Sequence, residues 1–133
     1  MTQTPNDRQT QSIALLASYS DEQIGAAMAR FRARMASGTL SAPVRGVGRL
    51  KRLDSSGDTE VYYPRVDLAS LDELELDERI AVAVAERIVG EAQRANANIV
   101  IPTPGSSTPV PLTTFDVANA PDEVMILSPI VGG

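Results

Sequence analysis

The sequence contains no cysteine and no histidine among its 133 residues. These two absences exclude disulfides, thiolate nucleophiles, catalytic groups built around an imidazole base, and the usual ligands of structural zinc. Carboxylates, hydroxyls, arginines and a single lysine, Lys51, remain for chemistry. No pair of acids stands in an apolar or glycine-rich setting that would mark a magnesium site. We therefore expect a protein that is not an enzyme and that binds no metal or cofactor by itself.

Long apolar runs are also missing. A helix that crosses a bilayer needs about 20 consecutive apolar residues, and the polar N-terminus lacks the apolar segment of a signal peptide. Because 43% of the residues are nevertheless apolar, a chain of this length is expected to form one core. We expect a cytoplasmic protein.

The charges are distributed unevenly along the chain, whose net charge is -5. Residues 24–53 carry seven basic side chains and no acid, whereas residues 54–91 carry eleven acids against three arginines. Such asymmetry indicates a nucleic-acid surface, an acidic partner or self-association, or else two solvated faces that neutralise each other in the fold. The candidate partner contacts are Arg30, Arg34, Arg49 and Arg52. In the self-associated form these arginines would contact residues 72–78 of a second copy.

Residues 1–43 read as a helical N-terminal extension. We expect a disordered start over residues 1–11, because this stretch is polar and uncapped, followed by a short helix over 11–18. Ser20 and Gln23 have the spacing of a capping box, and apolar residues recur at intervals of three and four behind them. An amphipathic helix over 21–36 is therefore predicted, with Gly38 as its end.

Residues 44–133 read as strands around one long helix. Strands are predicted over 44–53, 59–63, 98–101, 110–117 and 123–127. Pro64 is expected at the end of its strand or at a sheet edge, and Pro104-Gly105 is expected in a loop. Ser70 and Glu73 have capping-box spacing, which predicts a helix over 71–95 with a broad apolar face. A helix packed on one face of a mixed sheet is an α+β architecture.

The last twelve residues carry a further pattern. They run Asp122-Glu123-Val124-Met125-Ile126-Leu127-Ser128-Pro129-Ile130-Val131-Gly132-Gly133: an acidic turn, an apolar strand, a proline-containing tail and a terminal Gly-Gly. This segment resembles the closing segment of the ubiquitin-like β-grasp family, and it is most similar to the sulfur-carrier subunit of molybdopterin synthase. The resemblance implies a β-grasp domain over residues 44–133, with its last strand at the centre of the sheet.

The resemblance also implies a function for the tail. Gly133 and Gly132 would enter the narrow channel of an E1-like adenylating enzyme, since glycine has no Cβ to obstruct the approach. Pro129, Ile130 and Val131 would position the tail. The Gly133 carboxylate would be adenylated with ATP held by that partner and passed to the partner's thiol, because this chain has no cysteine. An E2-like conjugating enzyme and a deconjugating protease are the further partners implied.

Three functions remain open from the sequence. The first is a bacterial ubiquitin-like protein modifier, which the N-terminal extension favours, as does Ser128, which stands where the sulfur carriers usually have a proline. The second is a sulfur carrier of the molybdopterin or thiamin type that ends in a thiocarboxylate. The third is a structural or nucleic-acid-binding module that uses the basic segment 30–52. Nucleic acid is disfavoured, because the aromatics that would stack on bases are nearly absent from this segment.

Overall fold

The structure is a computed structural model, and it describes residues 5–54, 57–101, 110–111, 115 and 122–127. The helices in these ranges are α1 (Pro5–Ala17), α2 (Asp21–Ser37), a 3₁₀ helix (Leu68–Glu73) and α3 (Leu76–Arg94). The strands are β1 (Gly46–Asp54), β2 (Gly57–Arg65), β3 (Asn98–Ile101), β4 (Val110–Pro111) and β5 (Glu123–Leu127). The predicted α+β class is confirmed.

Within the described residues the strands form one mixed sheet in the order β2-β1-β5-β3-β4. The β1–β2 and β3–β5 pairs are antiparallel, and the β1–β5 pair is parallel. It follows that β3 runs in the same direction as β2, as predicted for two strands connected through a long helix. The expected central position of the last strand is confirmed, because β5 lies between β1 and β3.

The first two helices follow their local sequence signals in part. The predicted capping box of α2 is present, with the Ser20 hydroxyl accepting from the Gln23 N–H at 3.1 Å and the Gln23 side chain accepting from the Ser20 N–H at 2.8 Å. The helix ends at Gly38, whose φ of 71° lies in the left-handed region that favours glycine. The predicted disordered start is wrong over residues 5–11. There α1 begins at Pro5, a residue that is well tolerated in the first turn of a helix.

The start of α3 differs from the prediction. Residues 68–73 form the 3₁₀ helix, and the chain is extended at Leu74 and Glu75 before α3 begins at Leu76. Leu74 is buried, so this break in the helix inserts an apolar side chain into the core. The capping box is formed by Glu75 and Glu78 instead of Ser70 and Glu73. The predicted start was five residues too early because both pairs have the same spacing.

The bounds of β1 and β2 differ from the predicted strands 44–53 and 59–63 by one or two residues at each end. The predictions over 98–101 and 123–127 are confirmed to the residue. Pro64 lies within β2, which is an edge strand, as expected. Of the strand predicted over 110–117, the structure describes Val110–Pro111 as strand and Phe115 as irregular. The loop predicted at Pro104-Gly105 lies outside the described residues.

The helix α3 lies between two layers. Its residues 80–85 are all buried, and six consecutive positions of a helix point in every direction around its axis. The sheet covers one side through Leu50, Val124 and Ile126, and the first two helices cover the other. Leu16 of α1 and Ile24 and Ala27 of α2 belong to the same cluster of buried apolar residues as the sheet residues.

The division of the chain at residue 43 stays a prediction, although both segments contribute to this one cluster. Among the described residues, no helix is long and apolar enough to cross a membrane.

Candidate functional site

The end of β5 fixes where the C-terminal segment begins. Leu127, the last residue of β5, pairs with Leu53 of β1 and with Asn98 of β3. Since β1 and β5 are parallel, this end of β5 lies on the same side of the sheet as the β1–β2 turn, where Asp54 pairs with Gly57. Leu127 therefore lies between that turn and the first residue of β3.

The five predicted tail residues lie outside the described residues. They are Pro129, Ile130, Val131, Gly132 and Gly133. Their roles in positioning and adenylation stay predictions, and the structure contributes the anchoring of the strand that precedes them. Val124 and Ile126 of that strand are 0% and 1% exposed, so β5 is held firmly by its apolar side chains.

A row of charges crosses the sheet on the face opposite α3. Strand alternation places Arg49 on this face, because its neighbour Leu50 points into the core. The Arg49 guanidinium lies 3.1 Å from Glu60 of β2 and 2.7 Å from Glu123 of β5, so it connects three strands. Its pKa is raised, first by the hydrogen bond to Glu123 and then by the charge of that carboxylate. Lys51 lies half-buried on the same face, paired in register with Glu60 and Met125.

The start of α3 carries a cluster of carboxylates around one arginine. Nη1 of Arg34 lies 2.7 Å from Asp77 and 2.8 Å from Glu75, and Nη2 lies 3.3 Å from Glu78. The same guanidinium donates to the Thr39 carbonyl at 2.9 Å. Asp77 is 2% exposed and Glu78 0% exposed, so two of these three acids are removed from water. Arg34 therefore ties α2 to the first turn of α3.

Ser41 completes this cluster, which consists of Arg34, Ser41, Glu75, Asp77 and Glu78 and is called the α2–α3 clasp below. Glu78 accepts from the Ser41 N–H at 2.8 Å, from the Ser41 hydroxyl at 2.5 Å and from the Glu75 N–H at 2.9 Å. Burial by itself would raise the pKa of Glu78. The hydrogen bonds from Ser41 and Glu75 and the charge of Arg34 outweigh it, so the pKa lies below its ordinary value.

The charge on Arg34 is stabilised by the same contacts. Its pKa is raised, first by the hydrogen bond to Asp77, and the charges of the three carboxylates add to this effect against the opposing cost of burial. Arg34 and Glu78 are therefore both held in their charged forms at neutral pH. This arrangement can hold two helices together, and its carboxylates are occupied by these internal contacts.

The four candidate partner contacts lie in different environments. Arg30 is exposed on α2, and Arg34 lies in the clasp. Arg49 forms the charge row, and Arg52, three positions along the same strand, lies on the opposite face of the sheet. The structure does not bring the four together on one surface. Contact of these arginines with a partner stays a prediction, as does self-association.

The opposite charges of the two sequence segments form ion pairs within the folded chain, and the pairs of Arg45 and Arg49 lie on its surface. Arg34 pairs with acids of α3, Arg49 pairs with Glu60, and Arg45 lies 3.1 Å from Asp67. Each of these contacts joins the basic stretch 24–53 to the acidic stretch 54–91. These contacts within one chain support the interpretation that the basic and acidic segments neutralise each other in the fold.

Sequence reasoning missed two groups. The clasp was missed because Glu75 and Glu78 had the appearance of ordinary solvated acids, although their three-residue spacing repeats the capping-box signal. The buried pair of Ser12 and Glu86, whose hydroxyl and carboxylate lie 2.9 Å apart, joins α1 to α3 over 74 positions. No local pattern marks a contact of that range.

Among the described residues, no group of three or more acids has the geometry of a metal site. Comparison of the chain with protein families, with curated proteins and with solved structures found no match.

Proposed function

We propose that this chain is a ubiquitin-like protein modifier with a β-grasp domain, acted on by an E1-like enzyme rather than being an enzyme itself. In this proposal the Gly133 carboxylate is adenylated, transferred to a thiol of the partner as a thioester, and passed from there to an amine of a target protein. ATP is bound by the partner. The tail of the sequence carries the resemblance on which the proposal is based.

The observation that carries the proposal furthest is the position of β5. Its five residues form a central strand between β1 and β3, and Leu127 is six residues from Gly133. A segment that follows a central, apolar strand starts from a rigid base, and a stiff residue such as Pro129 then limits how far it can fold back. Because glycine has no Cβ, a Gly-Gly end that follows such a strand suits entry into a narrow channel.

The sheet and helix also support the β-grasp part of the proposal. A mixed sheet with its last strand at the centre and one long helix across one face is the arrangement that the resemblance implies. In this chain β5 lies beside β1 in parallel, and Ile80 and Val84 of α3 belong to the same buried apolar cluster as residues of the sheet. The helices α1 and α2 are an addition to that arrangement, on the far side of α3.

The single lysine supports a target other than a second copy of this chain. Lys51 is half-buried in β1, at a central position of the sheet, where its backbone is held by β2 and β5. An acceptor lysine must reach a thioester in a partner, so a half-buried lysine within a central strand is a poor acceptor. The ion pairs of three arginines favour the modifier over the nucleic-acid-binding module. Arg34, Arg45 and Arg49 are paired with acids of their own chain, whereas a surface that binds nucleic acid needs free cations.

The experiment is ATP–pyrophosphate exchange by a purified E1-like adenylating enzyme. We expect exchange with the full chain and its loss when Gly132 and Gly133 are deleted or when one alanine is added after Gly133. Gly25→Ala is the matched control, because it changes a glycine on the exposed side of α2, more than a hundred positions from the tail in the sequence. Exchange that persists in the truncated chain, or that is absent with the full chain, contradicts the proposal.

The product of the reaction separates the modifier from the sulfur carrier. With a conjugating enzyme present, we expect a covalent adduct between Gly133 and a lysine of another protein, identified by mass spectrometry of the branched peptide. A terminal thiocarboxylate on Gly133 with no adduct would instead assign sulfur transfer.

A further inference from the structure

Within the described residues, β2 is the outer strand on one side of the sheet. The N–H of Arg49 in β1 donates to the carbonyl of Asp122, directly before β5, at 2.8 Å, so the backbone groups of Arg49 face β5. Tyr62 is the partner of Arg49 in β2, and opposite residues of an antiparallel pair either both face each other or both face away. The N–H and carbonyl groups of Tyr62, and of Glu60 two positions before it, therefore point away from the sheet.

An outer strand with a row of outward backbone groups is a template to which another strand can add. Two features of β2 weaken this template. Pro64 lies two positions after Tyr62, so the N–H that it lacks belongs to the outward row, and Glu60 adds a charge at the edge. Glu60 and Tyr62 nevertheless keep their own N–H and carbonyl groups, so the middle of β2 can still accept a second strand.

The side chain of Arg32 lies at this edge. Its guanidinium carbon is 5.5 Å from the centre of the Tyr62 ring, which is a cation–π contact. Tyr62 lies on the face of the sheet opposite α3, because its neighbour Tyr63 points into the core and its own hydroxyl donates to Glu60 at 3.4 Å. The helix that carries Arg32 packs against α3, on the core side of the sheet. The arginine therefore reaches the ring around the outer edge of β2, since it cannot pass through the sheet.

We propose that Arg32 closes the outer edge of β2 and prevents a second copy of the chain from adding its own β2 to the sheet. Arg32 is exposed, so this contact can open without disturbing the core. The device joins α2 to the sheet edge, and it does not depend on the function of the C-terminal tail.

A second copy fits this edge through two-fold symmetry. With Val61 opposite Val61 of the second copy, Glu60 lies opposite Tyr62 of the second copy, and the outward backbone groups of the two strands meet in pairs. Pairing centred on Glu60 would instead place two acids opposite each other. Pro64 falls at the ends of the favoured ladder. Because Arg32 occupies the space that the added strand needs, both copies must release it before they pair.

Sedimentation velocity of the full chain over about a hundredfold range of concentration measures this pairing. We expect Arg32→Ala to raise the association constant above that of the wild type. Two cation–π contacts are lost in each dimer, and at exposed sites two such contacts correspond to about five- to thirtyfold in an association constant. Arg30→Ala is the matched control, because it removes an exposed arginine of the same helix, and it should sediment as the wild type does.

A second substitution locates the contact between the copies. In the Arg32→Ala background, Glu60→Pro removes an outward N–H without removing a hydrogen bond to β1, so it should abolish the association. Glu60→Ala removes the same carboxylate and keeps the N–H, so the association should persist. In the associated form we expect hydrogen exchange at the amides of Glu60 and Tyr62 to slow by at least about tenfold.

Three results would overturn the proposal. The first is an Arg32→Ala protein that is folded by circular dichroism and sediments as the wild type does at every concentration. The second is association of equal strength in Arg30→Ala. The third is association of Arg32→Ala that persists with Glu60→Pro or leaves the exchange at Glu60 and Tyr62 unchanged, because it would then use a surface other than the β2 edge.

Discussion

Ser41 donates two hydrogen bonds to the Glu78 carboxylate, one from its N–H at 2.8 Å and one from its hydroxyl at 2.5 Å. Ser41 lies in the connection between α2 and β1, and Glu78 lies in the first turn of α3, so this pair joins segments 37 positions apart. Because Glu78 is fully buried, every one of its acceptor sites must be satisfied from within the protein. The pair therefore fixes where the chain turns from the helical layer into the sheet.

We expect Glu78→Gln to destabilise the protein at pH 7 by about 1–2 kcal/mol, since charge-assisted hydrogen bonds are replaced by neutral ones. The folded pKa of Glu78 lies below its unfolded value, so its contribution is full above the unfolded pKa of about 4.3 and is lost as pH falls through the folded value. Urea unfolding at pH 7, 5, 4 and 3 measures this. Glu91→Gln, at an exposed acid of the same helix, is the control. A stability difference between Glu78→Gln and wild type that stays constant down to pH 3 would contradict a lowered pKa of Glu78 in the folded protein.

We expect Arg34→Ala to destabilise the protein much more than Arg30→Ala. Arg34 is the cation of the α2–α3 clasp, and its removal leaves the buried Asp77 and Glu78 without their countercharge, at a cost of about 3 kcal/mol. Arg30 is one turn away on the same helix and is exposed, so its removal should change stability by less than about 0.5 kcal/mol. Thermal unfolding of the two variants provides the comparison. Equal melting temperatures would show that the clasp contributes little.

We expect Gly48→Ala to destabilise the sheet. A Cβ at position 48 would overlap the ring of Tyr63, which is fully buried and packs edge-on against Phe115 with 5.4 Å between ring centroids. Overpacking of this kind costs about 1–3 kcal/mol or more. Gly25→Ala should instead stabilise α2 by about 0.5–1 kcal/mol, because a Cβ there meets open space.

Urea unfolding in two backgrounds isolates the contact between Gly48 and Tyr63. In a Tyr63→Leu protein the overlapped ring atoms are absent, so the cost of Gly48→Ala should shrink. A cost that is the same in both backgrounds would assign the effect of Gly48→Ala to the backbone and not to the tyrosine ring.

We expect a truncated chain that begins at Val44 to lose cooperative unfolding. A single helix packed on a sheet can in general form a closed core. In the structure, however, α3 is buried on all sides and α1 and α2 cover its outer side. The transition in urea, followed by circular dichroism and by tyrosine fluorescence, distinguishes the two outcomes. Coincident, sharp transitions in the truncated chain would support an independent domain.

The packing of α1 against α3 can also be tested in the full chain with two substitutions on α1. Leu16→Ala removes a side chain that is 4% exposed and should cost about 2–3 kcal/mol. Ile13→Ala changes a side chain of the same helix that is 48% exposed and should be nearly neutral. If both substitutions are neutral, α1 is not docked on α3 in solution.

The sequence by itself determined the features that depend on neighbouring residues. The capping box at Ser20, the helix end at Gly38 and the strands over 98–101 and 123–127 are set by local hydrogen bonds, glycine's conformational range and short apolar runs, and all were predicted from the sequence. The tail residues Gly132 and Gly133 were likewise identified from the sequence pattern alone, and their function stays a proposal.

The tertiary structure decided what depends on distant residues. Local spacing favoured Ser70 and Glu73 as the cap of α3, yet burial of Leu74 and the hydrogen bonds of Glu78 with Ser41 placed the start of the helix at Leu76. The ion pairs of Arg34, the buried pair of Ser12 and Glu86 and the contact of Arg32 with Tyr62 have the same origin. Each of these contacts depends on which helices pack together. That packing is determined by the apolar area that can be buried around α3, and this area depends on the whole fold and cannot be deduced from any one segment of the sequence.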